Sequence, residues 1–370
     1  MDRETIETDR VRLRLFRDQD TDGLVAGCGD PLTRRFLPHL PDPYTVADAH
    51  WWISEGTAAV WDRGGAAYAI ADPADDRLLG GIGLDHVVPA RAQGEVGYWL
   101  APWARGRGIV TAAVRALAER ALGDGFARLE LLTEQENAAS QRVALASDFR
   151  REGVRRGLGS RPDGSRHDLV AWARLADDPP GPVTRVLPDL PGGTLTDGVV
   201  TLRPLAADDA DFVHRMHSLP EVVAHSVPPI APDRAQVGRR CAEAAARWLA
   251  GARADLLILD AATGQPTGEI ALYYQEPETG QAMIGYAMRP EWRGHGYPSR
   301  AARLLARWAF DQTGISRLVA GAAPENRGSQ RVLEKAGFRR EGLQRGRLPG
   351  PAGDRADDVL FALLARDLAD

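Results

Sequence analysis

Two short glycine-spaced runs carry the chemistry of this chain: Arg105-Gly106-Arg107-Gly108-Ile109-Val110 and Arg293-Gly294-His295-Gly296-Tyr297-Pro298. Each lies between an apolar stretch and a segment with helical periodicity. Strand, glycine loop and helix together make an anion site. Glycine lets the backbone approach a ligand closely. The first helical N–H groups have no partner inside the helix, and with its dipole they favour a bound phosphate. An Asn-x-x-Ser follows each loop, 32 or 33 residues beyond its first arginine, as Asn137–Ser140 and Asn326–Ser329. Neither loop continues into Gly-Lys-Ser/Thr, and neither has the third glycine of a dinucleotide fingerprint. His214 and His217 lie three apart, but no third ligand stands at a convincing spacing; they read as a helix surface, with no metal expected.

These runs belong to a larger repeat. Leu13-Arg14-Leu15-Phe16 with Asp20 and Asp22 resembles Leu202-Arg203-Pro204-Leu205 with Asp209 and Asp211. Gly97–Pro102 resembles Gly285–Pro290, and Arg151-Glu152-Gly153 resembles Arg340-Glu341-Gly342. Every pair is offset by 188 or 189 residues, so a whole domain is duplicated. The expected domains are 1–175 and 195–370. Between them, 176–194 carries Pro179, Pro180, Pro182, Pro188 and Pro191 and reads as an extended, semi-rigid linker. Within each copy, strands are expected at 10–16 and 199–205, 78–84 and 268–274, 95–100 and 283–288, 128–132 and 317–320, and 169–175 and 359–364. The helices after the loops place Val114, Leu117, Ala118 and Ala121, and Ala301, Leu304, Leu305 and Trp308, on one face.

On the two loops, the two Asn-to-Ser segments with Phe149 and Lys335-Ala336-Gly337-Phe338, and the endings 168–175 and 357–364, each copy resembles a GNAT acyltransferase domain. The branch it resembles is that of the ribosomal-protein alanine N-acetyltransferases. The resemblance covers nearly the whole chain outside the linker. It implies an α/β (α+β) fold of two tandem domains, each a mixed, splayed central sheet flanked by helices. It also implies a thioester donor on a phosphopantetheine arm, normally acetyl-CoA or another acyl-CoA. A carrier-protein thioester presents the same arm, which makes an acyl carrier protein the alternative donor and partner. The loops Arg105, Gly106, Arg107, Gly108, Ile109 and Val110, and Arg293, Gly294, His295, Gly296 and Tyr297, match the family's pyrophosphate loop. Leu100 and Met288 hold the positions whose backbone grips the pantetheine, and Asn137 and Asn326 organise the coenzyme arm. Pro298 lacks an N–H, so the second loop offers one fewer donor.

Aminolysis of a thioester needs a base for the amine proton, a donor for the oxyanion and a proton for the leaving thiolate. Ser140 and Ser329 are candidates for the last role; both types also cap helices, and that reading stands beside the first. Glu95, on the strand before the first loop, is a candidate base. The second copy has Met283 there and offers Glu269 on the preceding strand, aligned with Gly81. Either glutamate could equally be a solvated strand residue. Asp168 and Asp357 orient an acceptor amine or end a loop. Trp51-Trp52 reads as core packing. Gly337 suits a left-handed helix cap, whereas its counterpart Asp148 tolerates that conformation less well. The second copy is therefore expected to carry more of the turnover. The predicted activity is N-acyl transfer to an amine of a small molecule or a peptide or protein N-terminus. The rival is a coenzyme A- or carrier-protein-binding module in which one or both domains are inactive.

Composition bounds these readings. The chain has 370 residues, 44% of them hydrophobic, and a formal net charge of -5. Mild acidity argues against a protein held on nucleic-acid phosphates. No apolar run approaches the ~18–20 residues of a membrane helix, and the charged start Met1-Asp2-Arg3-Glu4 has no signal-peptide pattern behind it. Two cysteines, Cys28 and Cys241, are too few for a disulfide framework, so a cytoplasmic setting is expected. Lys335 is the only lysine, and the surplus of arginine reads as coding bias.

Overall fold

The computed structural model describes residues 1–179, 181–350 and 353–368. The chain divides into two units, Met1–Thr184 and Arg185–Asp370. In the first, chain order is β1 (Ile6–Glu7), β2 (Arg12–Arg14), α1 (Thr21–Cys28), α2 (Pro31–Phe36), α3 (Val46–Trp51), α4 (Thr57–Asp62), β3 (Ala66–Ala71), β4 (Leu78–Val88), β5 (Gln93–Leu100), α5 (Ile109–Gly123), β6 (Arg128–Glu134), α6 (Ala138–Ala146), β7 (Arg150–Ser160) and β8 (Arg166–Leu175). The second runs β9 (Leu195–Thr196), β10 (Val200–Pro204), α7 (Ala210–His217), α8 (Pro220–Val223), α9 (Arg234–Ala242), α10 (Ala244–Leu249), β11 (Arg253–Asp260), β12 (Pro266–Glu276), β13 (Gln281–Met288), α11 (Tyr297–Gln312), β14 (Arg317–Ala322), α12 (Arg327–Ala336), β15 (Arg339–Pro349) and β16 (Arg355–Leu364).

Each unit forms one sheet, ordered β1-β2-β3-β4-β5-β6-β8-β7 in the first and β9-β10-β11-β12-β13-β14-β16-β15 in the second. The order is the same, and each sheet has one parallel pair, β5 with β6 and β13 with β14. That pairing is short. It covers Gln93–Glu95 against Arg128–Glu130, and Gln281–Met283 against Arg317–Val319. Beyond Glu95 and Met283 the two strands pair only with their outer neighbours. Each sheet therefore forks at its centre, and the inner backbone of 96–100 and 284–288 is left without a ladder partner. Strand alternation puts Val96, Tyr98 and Leu100 on one face of β5, and Glu95 and Trp99 on the other.

The repeated Leu-Arg and Asp signature has a packing role. Arg14, 1% exposed, donates to both oxygens of Asp20 at 2.7 and 2.8 Å; Arg203 does the same to Asp209 at 2.8 and 2.7 Å. These pairs fasten β2 and β10 to the start of α1 and α7. Three strands per copy escaped the sequence reading: β1 and β9, of two residues each, β3 and β11, and β7 and β15. β3 is short and fully buried, so it lacks alternation, and β7 and β15 are arginine-rich edge strands without an apolar face. The stretch read as an extended, semi-rigid linker is partly core: Leu187 and Leu190 are buried in the second unit, and Trp248 Nε1 donates to the Pro188 carbonyl at 3.0 Å. Pro180 lies outside the described residues. Among the described residues, no helix is long and apolar enough to cross a membrane.

Candidate functional site

At the tip of β5 the chain makes a 3-10 turn and enters the loop. Gly106 and Gly108 have φ of 73° and 71°, and Gly294 and Gly296 have 84° and 80°. Gly108 and Gly296 are the N-cap residues of α5 and α11, both left-handed, a conformation that favours glycine. The first bonds inside these helices run from Ala112 to the Gly108 carbonyl and from Arg300 to the Gly296 carbonyl. The N–H groups of 109–111, and of Tyr297 and Ser299, are thus free of the helix ladder; Pro298 contributes none. The two arginines that open the loops are turned to other elements. Arg105 donates to Asp30 and Thr33 at the start of α2, and Arg293 to the Glu221 carbonyl of α8. Their part is to anchor the loops.

A different cation flanks the first loop, one the sequence reading missed. Arg10 donates to the Arg107 carbonyl at 2.7 Å. Arg10 and Arg107 line a cavity of about 330 Å³ with Asp9, Asp72, Pro73, Ala74 and Ile109. In the second loop His295 lies beside Trp292 and Tyr297, whose rings stack 5.4 Å apart; Tyr297 Oη donates to Asp260 at 2.5 Å.

The asparagines cap. Asn137 Oδ1 accepts from the Ser140 N–H and Asn326 Oδ1 from the Ser329 N–H, both at 3.0 Å. This occupies the serine N–H and leaves the serine hydroxyl. That hydroxyl meets a tyrosine from the forked strand: Tyr98 Oη to Ser140 Oγ is 2.6 Å, and Tyr286 Oη to Ser329 Oγ is 2.7 Å. Burial raises both phenols, Tyr286 to about 12 against its hydrogen bond with Ser329, which lowers it. Both therefore stay neutral and can donate. The tyrosines stood in the repeated Gly-Tyr dipeptides, a signal read only as evidence of duplication. Leu100 and Met288 end their strands two residues further on, on the same face as the tyrosines, with Met288 buried.

The candidate bases sit in unlike surroundings. Glu95 is the last residue of β5 paired to β6, at the crotch of the fork. Burial raises its carboxyl, opposed by His86 with Nδ1 at 3.6 Å and reinforced by Glu130. Glu269 is buried and bonded through Oε1 to His217 Nε2 at 2.8 Å and to Arg240 at 3.2 Å. Burial works against its ionisation, but the His217 bond and the Arg240 charge overcome it and hold the carboxyl down at about 2. A carboxylate so held is a weak proton acceptor. The reading of His217 as helix surface is corrected: its side chain is 18% exposed and faces Glu269.

Asp168 and Asp357 accept from the N–H groups of Gly157 and Gly346 at 2.7 Å, holding irregular turns in the β7–β8 and β15–β16 hairpins. Trp52 packs edge-on to Phe16, whereas Trp51 is 55% exposed. Asp148 does adopt the left-handed cap, at φ 70°, as Gly337 does at 98°. The turns that end α6 and α12 thus share one conformation, and the expected handicap of the first copy is not seen in its backbone there. Among the described residues no cluster of His, Cys, Asp or Glu could hold a metal.

A forked sheet with an open helix N-terminus at its tip and a hydroxyl pair at its side defines an acyltransferase fold. The family model described as "Acetyltransferase (GNAT) domain" matches residues 10–150 and again 200–339, and the chain belongs to that family, with two tandem copies. The chain is 29% identical over 177 residues to the uncharacterized N-acetyltransferase p20 of Bacillus licheniformis, covering 48% of this chain and 98% of that protein. It is 45% identical over 64 residues to the probable N-acetyltransferase YjcK of Bacillus subtilis, covering 17% of this chain and 35% of that one. It is 30% identical over 104 residues to the ribosomal-protein-serine acetyltransferase of Escherichia coli, covering 28% and 58%. The chain thus spans one of these relatives almost whole, and about a third and somewhat over half of the other two.

Proposed function

We propose that each unit binds the phosphopantetheine arm of acetyl-CoA in its fork and transfers the acetyl group to an amine of a small molecule or of a peptide N-terminus. The observation that carries this reading is the pair of hydroxyls at the fork, Tyr98 with Ser140 and Tyr286 with Ser329. A serine whose N–H is spent in a cap and whose hydroxyl receives a neutral tyrosine is placed to pass a proton to a leaving thiolate. The unpaired backbone of 96–100 and 284–288 supports a strand-like grip on the pantetheine amides. The free N–H groups of the loops support the pyrophosphate, and in the first unit Arg10 and Arg107 add positive charge.

The test is calorimetry with coenzyme A on the full chain. Two equivalents are expected. Gly108→Trp and Gly296→Trp place an indole over the respective helix start, and each should remove one equivalent. Unchanged stoichiometry in both variants would show that the loops are not the sites.

A further inference from the structure

The two copies differ on the sheet face opposite the loop helices, and they differ by exchange. Gly81 on β4 is the cross-strand neighbour of Trp99 on β5; at the equivalent place Glu269 on β12 neighbours Ala287 on β13. In the first unit the indole fills the space. A Cβ on Gly81 would lie 2.6 Å from Trp99 Nε1, and one on Gly27 of α1 would lie 2.3 Å from the same ring. In the second unit that space is given to Glu269 and the groups it holds. Counterparts of His217, Arg240 and Asp255 in the first unit are Cys28, Trp52 and Ala67. The fold therefore does not need the ionic set, since the same architecture stands without it.

We infer that His217 is the proton acceptor of the second unit and that Glu269 is its positioning residue. This rests on the acetyl-transfer reading above. Glu269 lies beside Ala287, between Tyr286 and Met288 on the strand that grips the donor. Its Oε1 takes His217 Nε2, which fixes the ring, and among the described residues Nδ1 has no hydrogen-bond partner. The imidazole is on the face opposite the Tyr286–Ser329 pair. An amine entering the fork from that side would stand between a base and a thiol-side acid. A carboxylate behind an imidazole fixes its tautomer and orientation. Arg240, bonded to both Glu269 and Asp255, stops the carboxylate from turning away.

The step balances. The amine nitrogen forms the C–N bond to the acetyl carbon, and its surplus proton passes to His217 Nδ1. The C–S bond breaks, and the thiolate takes the Ser329 hydroxyl proton, replaced from Tyr286. The phenolate and the imidazolium then return to neutrality through solvent. The titratable and charged groups on the elements packed against α7 are Glu269, Tyr273, Tyr274 and Glu276 of β12, Arg234, Arg239, Arg240 and Cys241 of α9, Glu221 of α8, and Asp208 and Asp209 before α7; α7 itself carries Asp211, His214 and Arg215 beside His217. Of these only Glu269 is bonded to His217.

The test uses the full chain carrying Gly108→Trp, so that the first unit is silent. Acetyl-CoA consumption is followed by thiol release on a panel comprising Ala-Arg-Tyr-Phe tetrapeptide, spermidine and tyramine. His217→Asn should lower kcat by about 10²-fold or more, the contribution usual for a general base, with KM for acetyl-CoA unchanged. The acid limb of the kcat/KM profile should vanish. His217→Gly should regain activity with added imidazole, which a purely structural histidine would not. Glu269→Gln should shift the acid limb without abolishing it. His217→Asn within twofold of its parent, or no imidazole rescue, would overturn the inference while leaving acetyl transfer standing. No turnover of any amine by the parent protein would overturn both.

Discussion

Asp148→Gly puts the left-handed cap of α6 to a quantitative test. Glycine relieves the side-chain penalty of that conformation, about 1 kcal/mol. It also raises the entropy of the unfolded chain, which costs about 0.4–1 kcal/mol. The backbone terms nearly cancel, so the carboxylate decides. Its Oδ2 lies 3.7 Å from Arg174, whose side chain is 11% exposed, and its Oδ1 lies 3.6 Å from Arg115, 41% exposed. The second contact is open to solvent and contributes little. Loss of the first leaves Arg174 without a carboxylate partner among the described residues. Breaking a buried pair costs about 3–5 kcal/mol, and the long, non-hydrogen-bonded geometry here places the cost lower, near 2 kcal/mol. Asp148→Gly is therefore expected to destabilise the first unit by about 2 kcal/mol, although it installs the residue that the second unit uses. In the second unit Leu363 stands where Arg174 does, and a Cβ on Gly337 would meet its Cδ1 at 3.3 Å. The reciprocal Gly337→Asp should cost at least as much. The assay is hydrogen exchange in urea, read on peptides from α6 and β8 separately from those of α12 and β16. A more stable first unit in Asp148→Gly would refute the reasoning and show that backbone strain outweighs the ion pair.

Arg14→Met leaves Asp20 buried without its cation and should destabilise the first unit by about 3–5 kcal/mol, with Arg14→Met/Asp20→Leu recovering most of the loss in the same urea experiment. Glu95 has a raised carboxyl, so its contribution to stability is present below the unfolded value and lost as pH rises through the folded one. Glu95→Gln should accordingly stabilise the first unit at pH 7 and make little difference near pH 4; a loss of stability at pH 7 that is absent near pH 4 would show that the carboxylate makes a net-favourable bond. The two hydroxyl pairs have the same geometry, so Ser140→Ala and Ser329→Ala should each lower turnover at their own site by a similar factor, about 10²-fold. Opposing Gly→Trp backgrounds separate the sites, and a loss at one alone would mean that only that pair serves chemistry.

The sequence made the duplication and the loops legible because both rest on local chain geometry. Glycine at a left-handed cap, asparagine before a helix and an offset of 188 or 189 residues need no tertiary knowledge. Tyr98 and Tyr286 were visible as residues but not as partners of Ser140 and Ser329, because strand and helix meet only across the sheet. Arg105 and Arg293 pointed towards the phosphates by proximity in the chain, whereas contacts with α2 and α8 claim them in space. Glu269 looked like a solvated or basic carboxylate. Its low value comes from His217 and Arg240, 52 and 29 residues away. No spacing rule reports such a meeting. Asp148 shows the limit of propensity, since two arginines hold it where glycine would be easier.

The exchange between Gly81–Trp99 and Glu269–Ala287 also bears on how the halves grew apart. One form of this sheet face cannot be turned into the other by a single substitution. Glutamate at 81 with Trp99 still in place overfills the sheet face, and alanine at 99 with Gly81 leaves a hollow the size of an indole. Either single change mispacks the first unit's sheet face, so positions 81 and 99 must change together for that half to take on the packing of the other.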